Sequence, residues 1–207
     1  MLKKLFISIF REYLFWMIFF FICRNIFLIY NVSELKGISF RETLSTSWNA
    51  IYLDTSMTSY FLAFTFICFS LLGFFNRKIF LTINRLYVLI ILILFSLITI
   101  GELKIYDEWG TKLNIKAIRF LEHPSEVINS TGTLFLIFGF SAAGILSFIG
   151  FYLHKKICRT ETEVIPFRKR WLVSAIFFIT IPILIVLGIR GGVQQIPIQQ
   201  SDAYFSK

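Results

Sequence analysis

The chain has 207 residues, of which 57% are hydrophobic and 16% are charged. A soluble domain of this length cannot hide so much apolar surface, so the composition excludes an ordinary soluble protein and indicates an integral membrane protein. The formal net charge of +9 does not indicate nucleic-acid binding, because the lysines and arginines fall in short clusters between apolar runs.

Five stretches approach the roughly 20 apolar residues that a membrane-spanning helix needs. In chain order they are residues 13–30, 56–75, 86–100, 133–153 and 171–189. Backbone groups in lipid must form hydrogen bonds within their own segment, so each stretch is expected to be a helix. The sequence therefore predicts an all-α integral membrane protein with about five transmembrane helices, formed by residues 1–189.

The distribution of basic residues predicts the orientation of these helices. With the N-terminus in the cytoplasm, the cytoplasmic segments hold twelve lysines and arginines, clustered at 3–11, 77–85 and 155–170. The outer segments are longer and hold eight, and Arg24 lies within the first helix. The positive-inside rule then places the N-terminus in the cytoplasm and the C-terminus outside.

The outer segments are expected to contain short interfacial helices. Residues 31–55 predict one with Trp48 and Tyr52 at the level of the headgroups. Residues 101–132 predict another, which ends before Pro124. Aromatic residues near the ends of the apolar runs are expected to form interfacial belts; they are Trp16, Tyr30, Tyr106, Trp109, Tyr152 and Trp171.

Two charged residues lie at the predicted outer ends of the first two helices. We expect Arg24 to extend its side chain to the outer headgroups; the alternatives are contact with a lipid phosphate or with an acidic partner such as Asp54. Asp54 opens the second apolar run and is expected to be a helix N-cap. Its alternative role is a polar contact near the outer lipid surface.

The sequence offers no recognisable catalytic or metal-binding motif. His123 and His154 lie on opposite sides of the membrane in the predicted topology and cannot share a metal. A weak outer site of His123 with Glu122 and Glu126 is conceivable, but three ligands on so short a stretch are poor evidence. The cysteines, which are Cys23, Cys68 and Cys158, have neither metal-ligand nor disulfide spacing.

Small residues in the fourth apolar run could allow close packing of that helix. They are Gly139, Ala142, Ala143 and Gly144. Their partner is either another helix of the same chain or a second copy, and the sequence leaves both possibilities open.

Four segments together carry a family resemblance. The first helix contains Arg24 and is followed by Asn31, and the second opens with residues 53–56. The outer segment 105–130 contains Tyr106, Trp109 and a Pro-Ser-Glu triplet at 124–126. The tail contains Arg190, Gly191, Gly192, Tyr204, Phe205 and Ser206. These segments resemble the membrane domain of bacterial lipoteichoic acid synthase-like proteins, which belong to the sulfatase and alkaline phosphatase superfamily.

The resemblance implies the membrane-anchoring domain of an enzyme that transfers phosphoglycerol, or a related phospho- or sulfo-ester, at the outer face of the bacterial cytoplasmic membrane. In that family a separate extracellular domain carries a threonine nucleophile and a divalent metal. This sequence ends at Lys207, so residues 190–207 would begin the linker to a catalytic domain that is absent, and the chain would be inactive alone. No cofactor is therefore expected in this chain.

Under the same resemblance Arg24, Asp54 and Trp109 are expected to contact anionic phospholipid headgroups, and the tail motif is expected to act as a linker. No nucleic acid is expected as a partner, and a homo-oligomer through the fourth helix is possible. The alternative function is a small complete membrane protein that binds a partner or acts as an accessory subunit in transport.

Overall fold

The structure is a computed structural model that describes residues 2–35, 37, 39–71, 77–115, 119, 132–158 and 167–191. Within these residues the fold is entirely helical and contains no strand. A short 3-10 helix, Val32–Leu35, follows the first helix. The α-helices, in chain order, are α1 (Leu2–Tyr30), α2 (Phe40–Asn49), α3 (Ile51–Leu71), α4 (Arg77–Trp109), α5 (Thr133–Ile157) and α6 (Phe167–Ile189).

Three helices in the described part of the chain are long and apolar enough to cross a membrane. They are the segments Phe6–Tyr30 of α1, Ile79–Trp109 of α4 and Thr133–Ile157 of α5. Large apolar side chains on their outer faces are exposed, for example Phe10, Phe138 and Phe148. Such a surface is unfavourable in water and is compatible with lipid. The prediction of an all-α multi-pass membrane protein is confirmed at this level.

The long helices pack around α1, which contacts α3, α4 and α5. Helix α3 also packs against α6, and α4 packs along α5. Contacts at the two ends of the bundle show that α1 and α5 run in opposite directions, as do α3 and α6, whereas α1 and α4 run in the same direction, because Phe27 and Tyr106 meet near the C-terminal ends of those two helices. Glu12 near the start of α1 meets His154 near the end of α5, and Ser56 near the start of α3 meets the last residue of α6, Ile189.

The centre of the bundle is an aromatic core. Trp16 is completely buried there and makes edge contacts with Phe15 and Phe61, with ring centroids 5.0 and 4.9 Å apart. The prediction that Trp16 belongs to an interfacial belt is therefore wrong. The position of Trp16 near the start of an apolar run suggested a membrane boundary, but α1 begins well before that run and carries the indole into the bundle.

Helix α4 is much longer than the apolar run that predicts it. The sequence analysis expects residues 86–100, whereas the helix covers Arg77–Trp109. Charged residues are good helix formers, so an apolar run marks the part of a helix in lipid rather than its whole length. An ion pair between Lys104 and Glu108, one turn apart and 3.0 Å long, supports the added C-terminal turns. The short helix expected before Pro124 lies outside the described residues.

Helix α2 confirms that a helix with Trp48 lies between residues 31 and 55, but Tyr52, which was expected in the same helix, belongs to α3. Helix α2 begins with a capping box: the N–H of Ser39 donates to the carboxylate of Glu42 over 3.0 Å, and the N–H of Arg41 donates to Ser39 Oγ over 3.3 Å. Trp48 is 72% exposed near its C-terminal end, which suits a headgroup-level aromatic residue.

The small residues of α5 are divided between two environments. Gly139 lies against the side chain of Ile100 on α4, and Ala143 is buried. Gly144 has open space beside its Cα. Packing within the chain accounts for the first two residues, and a homo-oligomer through this helix stays a prediction.

Candidate functional site

Arg24 and Asp54 form an ion pair between α1 and α3. Arg24 Nη2 donates to both carboxylate oxygens of Asp54, and each distance is 2.8 Å. The two side chains are only 17% and 11% exposed. The positions of the two residues along their helices explain this contact. Arg24 lies about two turns before the end of α1, and Asp54 lies in the first turn of α3. Antiparallel packing of α1 and α3 therefore brings the two side chains to the same level.

This pair bears on the expectations for Arg24 and for Asp54. For Arg24, the structure shows contact with the acidic partner Asp54, which is one of the predicted alternatives, and contact with the outer headgroups stays a prediction. Asp54 is not an N-cap, because α3 begins at Ile51 and the N–H of Asp54 already donates to the carbonyl oxygen of Ala50 over 2.8 Å. The start of the apolar run at residue 56 predicts a helix start near Asp54, whereas α3 begins about one turn earlier, at Ile51.

A cavity of about 470 Å³ opens beside this ion pair. Arg24 and Asp54 lie on one wall, and Arg41 and Trp48 of α2 lie on another. The rest of the lining is mostly apolar. It consists of Met17 and Phe21 of α1, Ile51 of α3, and the two serines Ser45 and Ser47 of α2. Two arginines and one carboxylate give the lining a formal charge of +1. The arrangement can bind an anion next to an apolar group.

The third residue expected to contact headgroups is Trp109. It lies at the C-terminal end of α4, is partly exposed, and does not line this cavity. A second, more polar cavity of about 420 Å³ lies near it, between Tyr30, Asn31 and Glu34 on one side and Tyr106 and Asp107 on the other. The two cavities therefore do not bring the three predicted contacts together.

Part of the linker motif can be located. Arg190 and Gly191 form a turn directly after α6, and Gly191 has a φ of 76°, which favours glycine. The Ser56 hydroxyl donates to the carbonyl oxygen of Ile189 over 2.7 Å, so α6 ends beside the start of α3, near Asp54. Gly192, Tyr204, Phe205 and Ser206 lie outside the described residues.

A second polar cluster lies at the opposite end of the bundle. His154 Nε2 lies 3.0 Å from both carboxylate oxygens of Glu12. Asn84 Nδ2 donates to Glu12 Oε1 over 3.4 Å. Ligand atoms of Glu12, His154 and Cys158 lie within 4.8 Å of one another. We call Glu12, Asn84, His154 and Cys158 the Glu12 cluster; it joins α1, α4 and α5.

The Glu12 cluster is shielded from solvent. Glu12 is 2% exposed and His154 is 4% exposed, and the ring of Phe15 covers the imidazole edge-on at a centroid distance of 5.0 Å. Two buried polar atoms have no hydrogen-bond partner in the described residues, Asn84 Oδ1 and His154 Nδ1. Burial, and the neighbouring negative charge of Glu12, raise the pKa of the Cys158 thiol.

The Glu12 cluster is not predicted from the sequence, where His154 is weighed only against His123. His123, Glu122 and Glu126 lie outside the described residues. Glu12 directly precedes the predicted span 13–30 and is not among the predicted site residues. A usable signal was present: the predicted topology already places Glu12, His154 and Cys158 at the cytoplasmic ends of helices. Their distances could not be predicted, because they depend on which helices are neighbours.

Comparison of the chain with protein families, with curated proteins and with solved structures finds no match.

Proposed function

We propose that this chain is a five-span membrane-anchoring unit of a lipoteichoic acid synthase-like protein, and that its outer-face cavity holds the headgroup of an anionic phospholipid. The N-terminus is cytoplasmic in this proposal, and α3 and α6 supply the second and fifth spans. The observation that carries the proposal is the Arg24–Asp54 ion pair at the wall of a cavity that also contains Arg41.

Among the residues that the structure describes, the ion pair leaves Arg24 with donors for a ligand. Both of its bonds to Asp54 come from one nitrogen, Nη2. A guanidinium has five N–H donors in a fixed plane, and this geometry suits the oxygens of a phosphate. Asp54 fixes the orientation of the Arg24 guanidinium and lowers the free-energy cost of placing its positive charge in a low-dielectric environment. The pair therefore holds a positive group ready beside the cavity without leaving it isolated in lipid.

Helix α2 completes a site with the character of the membrane interface. Arg41 brings a second guanidinium to the cavity, and Trp48 brings an amphipathic ring of the kind that favours the headgroup region. Met17 and Phe21 line the side formed by α1. Two guanidinium groups together with an apolar wall match a phosphodiester joined to acyl chains.

Lipid retention measured by native mass spectrometry tests the headgroup site. The protein is released from nanodiscs that contain equal amounts of phosphatidylglycerol and phosphatidylcholine. We expect preferential retention of phosphatidylglycerol, and a loss of roughly tenfold or more in Arg41→Gln, since hydrogen bonds to charged groups contribute about 1.5–3 kcal/mol.

Arg85→Gln is the matched control. Arg85 is an exposed arginine near the N-terminal end of α4, and it does not line the cavity. This variant should retain phosphatidylglycerol as the unchanged protein does. Equal retention of both lipids by the unchanged protein would refute the headgroup site, and so would an equal loss in the two arginine variants.

Cysteine labelling tests the topology. In a background without the three native cysteines, Thr111→Cys is expected to react with a membrane-impermeant maleimide on intact cells, and Lys156→Cys only after permeabilisation. Both positions are exposed in the structure. Labelling of both on the same side would refute the proposed arrangement of α4 and α5.

The size of the natural product tests the family assignment. Its support is the resemblance of four segments together with the multi-pass helical fold. An antibody against the loop 155–170 should detect a membrane product far larger than the 24.3 kDa of this chain, because the related proteins carry an extracellular enzyme domain. A product of 24.3 kDa would overturn the assignment to such an enzyme, but not the lipid site.

A further inference from the structure

We propose that Glu12, His154 and Cys158 bind one divalent transition-metal ion, with Zn²⁺ as the preferred ion, at the cytoplasmic end of the bundle. The site is independent of the proposed headgroup cavity, because it lies at the other end of α1. Its function would be to fasten α1 to α5 through a metal instead of through side-chain packing alone.

The ligand atoms are already close to the required positions. Ligands bound to tetrahedral Zn²⁺ at about 2.0–2.2 Å for nitrogen and oxygen lie about 3.3 Å apart. His154 Nε2 lies 3.0 Å from the carboxylate oxygens of Glu12, so a metal needs only a small separation of these groups. The Cys158 sulfur lies within 4.8 Å of both and must move inward by roughly 1 Å to reach a Zn–S distance of about 2.3 Å.

Cys158 is well placed for that movement. It is the C-cap residue directly after the last turn of α5, where its N–H donates to the carbonyl oxygen of His154 over 2.8 Å. The side chain is only partly buried. A residue at a helix end can adjust its side chain without disturbing the helix, and its partial exposure gives a metal ion a route from the cytoplasmic side.

Charge balance supports a metal at this depth. One carboxylate and one thiolate neutralise a divalent ion, and the imidazole contributes a neutral nitrogen. A neutral site has a low cost in the membrane, whereas an isolated charge there is expensive. Binding releases the thiol proton to the solvent, so sulfur joins the metal as a thiolate.

Unsatisfied atoms in the Glu12 cluster point to a ligand. Asn84 is buried, and its Oδ1 has no hydrogen-bond partner in the part of the chain that the structure describes. Buried polar atoms normally have partners. This oxygen belongs to the same amide group as Nδ2, which lies 3.4 Å from Glu12 Oε1, so it can accept a hydrogen bond from a water bound at the fourth metal position. A simple Glu–His hydrogen bond does not use this atom.

The mixed donor set favours Zn²⁺ over Mg²⁺ and Ca²⁺, which take oxygen ligands. Zn²⁺ accepts thiolate, imidazole and carboxylate together in tetrahedral geometry. Three protein ligands with a further position for water fit that preference.

Cobalt spectroscopy on the full chain tests the site. The protein is purified in detergent, treated with a chelator and titrated with Co²⁺. We expect one equivalent to produce thiolate-to-cobalt charge-transfer absorption with the visible bands of tetrahedral Co²⁺, and Zn²⁺ to remove both. Cys158→Ser should lose the charge-transfer absorption, and Cys68→Ser should keep it, since Cys68 is a buried cysteine of α3 that does not belong to the group of close ligand atoms formed by Glu12, His154 and Cys158.

Thermal unfolding gives an independent readout. One equivalent of Zn²⁺ should raise the unfolding temperature of the unchanged protein and of Cys68→Ser, because an ion that binds only the folded state stabilises it. It should not stabilise Cys158→Ser to the same extent. Absence of charge-transfer absorption in the unchanged protein, or its persistence in Cys158→Ser, would overturn the proposal.

Discussion

The Arg24–Asp54 ion pair should couple α1 to α3 strongly, and a double-mutant cycle can measure the coupling. The variants are Arg24→Gln, Asp54→Asn and the double variant, each of which keeps a polar side chain of similar shape. Breaking a fully buried pair by removing one partner costs about 3–5 kcal/mol, because the other charge stays buried. Here the side chains retain 17% and 11% exposure, so we expect about 2–3 kcal/mol for each single variant.

The double variant should be less destabilised than the sum of the singles. It removes both charges together, so neither is left without its partner. The 2.8 Å bonds from Nη2 to both carboxylate oxygens are hydrogen bonds between charged groups, which contribute more than neutral ones. We expect a coupling free energy of about 1–3 kcal/mol, measured by equilibrium unfolding in mixed micelles of increasing denaturing-detergent content.

The same chain contains a control pair. Lys104 and Glu108 also form a 3.0 Å ion pair, but it lies one turn apart on α4 and its side chains are 25% and 34% exposed. Such helix-surface pairs contribute about 0.3–0.5 kcal/mol. A coupling between Arg24 and Asp54 no larger than that of the control pair would refute the view that this contact fastens α1 to α3.

Two further predictions concern packing. Gly188→Ala should destabilise the protein by about 1–3 kcal/mol, because a Cβ at this position collides with the side chain of Ser59. Gly144→Ala is the control, because its Cβ meets open space and the unfolding free energy should change little. A similar loss in both variants would contradict the α3–α6 packing. Trp16→Ala should lower the free energy of unfolding by about 3–5 kcal/mol, because the indole is completely buried. Trp48→Ala should change it by no more than about 0.5 kcal/mol, because that indole is 72% exposed. Equal losses in detergent unfolding would refute the placement of Trp16 in the core.

The apolar runs predict which segments are helical but not where the helices end. In the residues that the structure describes, each of the five runs lies on a helix, since a backbone in lipid has few other options. Helix α4 nevertheless extends to Arg77 at one end and Trp109 at the other, through charged residues that a hydropathy argument assigns to loops. Hydropathy reports the contact with lipid, whereas helix length also depends on propensity and on pairs such as Lys104 with Glu108.

The polar contacts depend on the packing of the helices and were only partly predictable. Asp54 was named as one possible partner of Arg24, because both lie toward the same predicted face of the membrane. Glu12 and His154 were not paired, because their meeting requires α1 and α5 to be neighbours. A single sequence gives no information on which of several antiparallel helices touch. The complete burial of Trp16 follows from the same packing.

The two polar clusters can be understood together from the length of α1. Glu12 and Arg24 are twelve residues apart on one helix, which corresponds to about 18 Å along its axis. The hydrocarbon core of a bilayer is about 30 Å thick, so the two residues cannot lie at its opposite boundaries at the same time. At least one of them must lie inside the apolar layer, where a charged group needs a partner.

Each of the two charged residues has such a partner from another helix. Arg24 binds Asp54 of α3, and Glu12 contacts His154 of α5. A displacement of α1 along its axis by even one helical turn, about 5.4 Å, would break both contacts at once and leave buried charges at both ends. The two clusters therefore fix the register of the central helix against its neighbours, a constraint that apolar packing alone would impose less strictly.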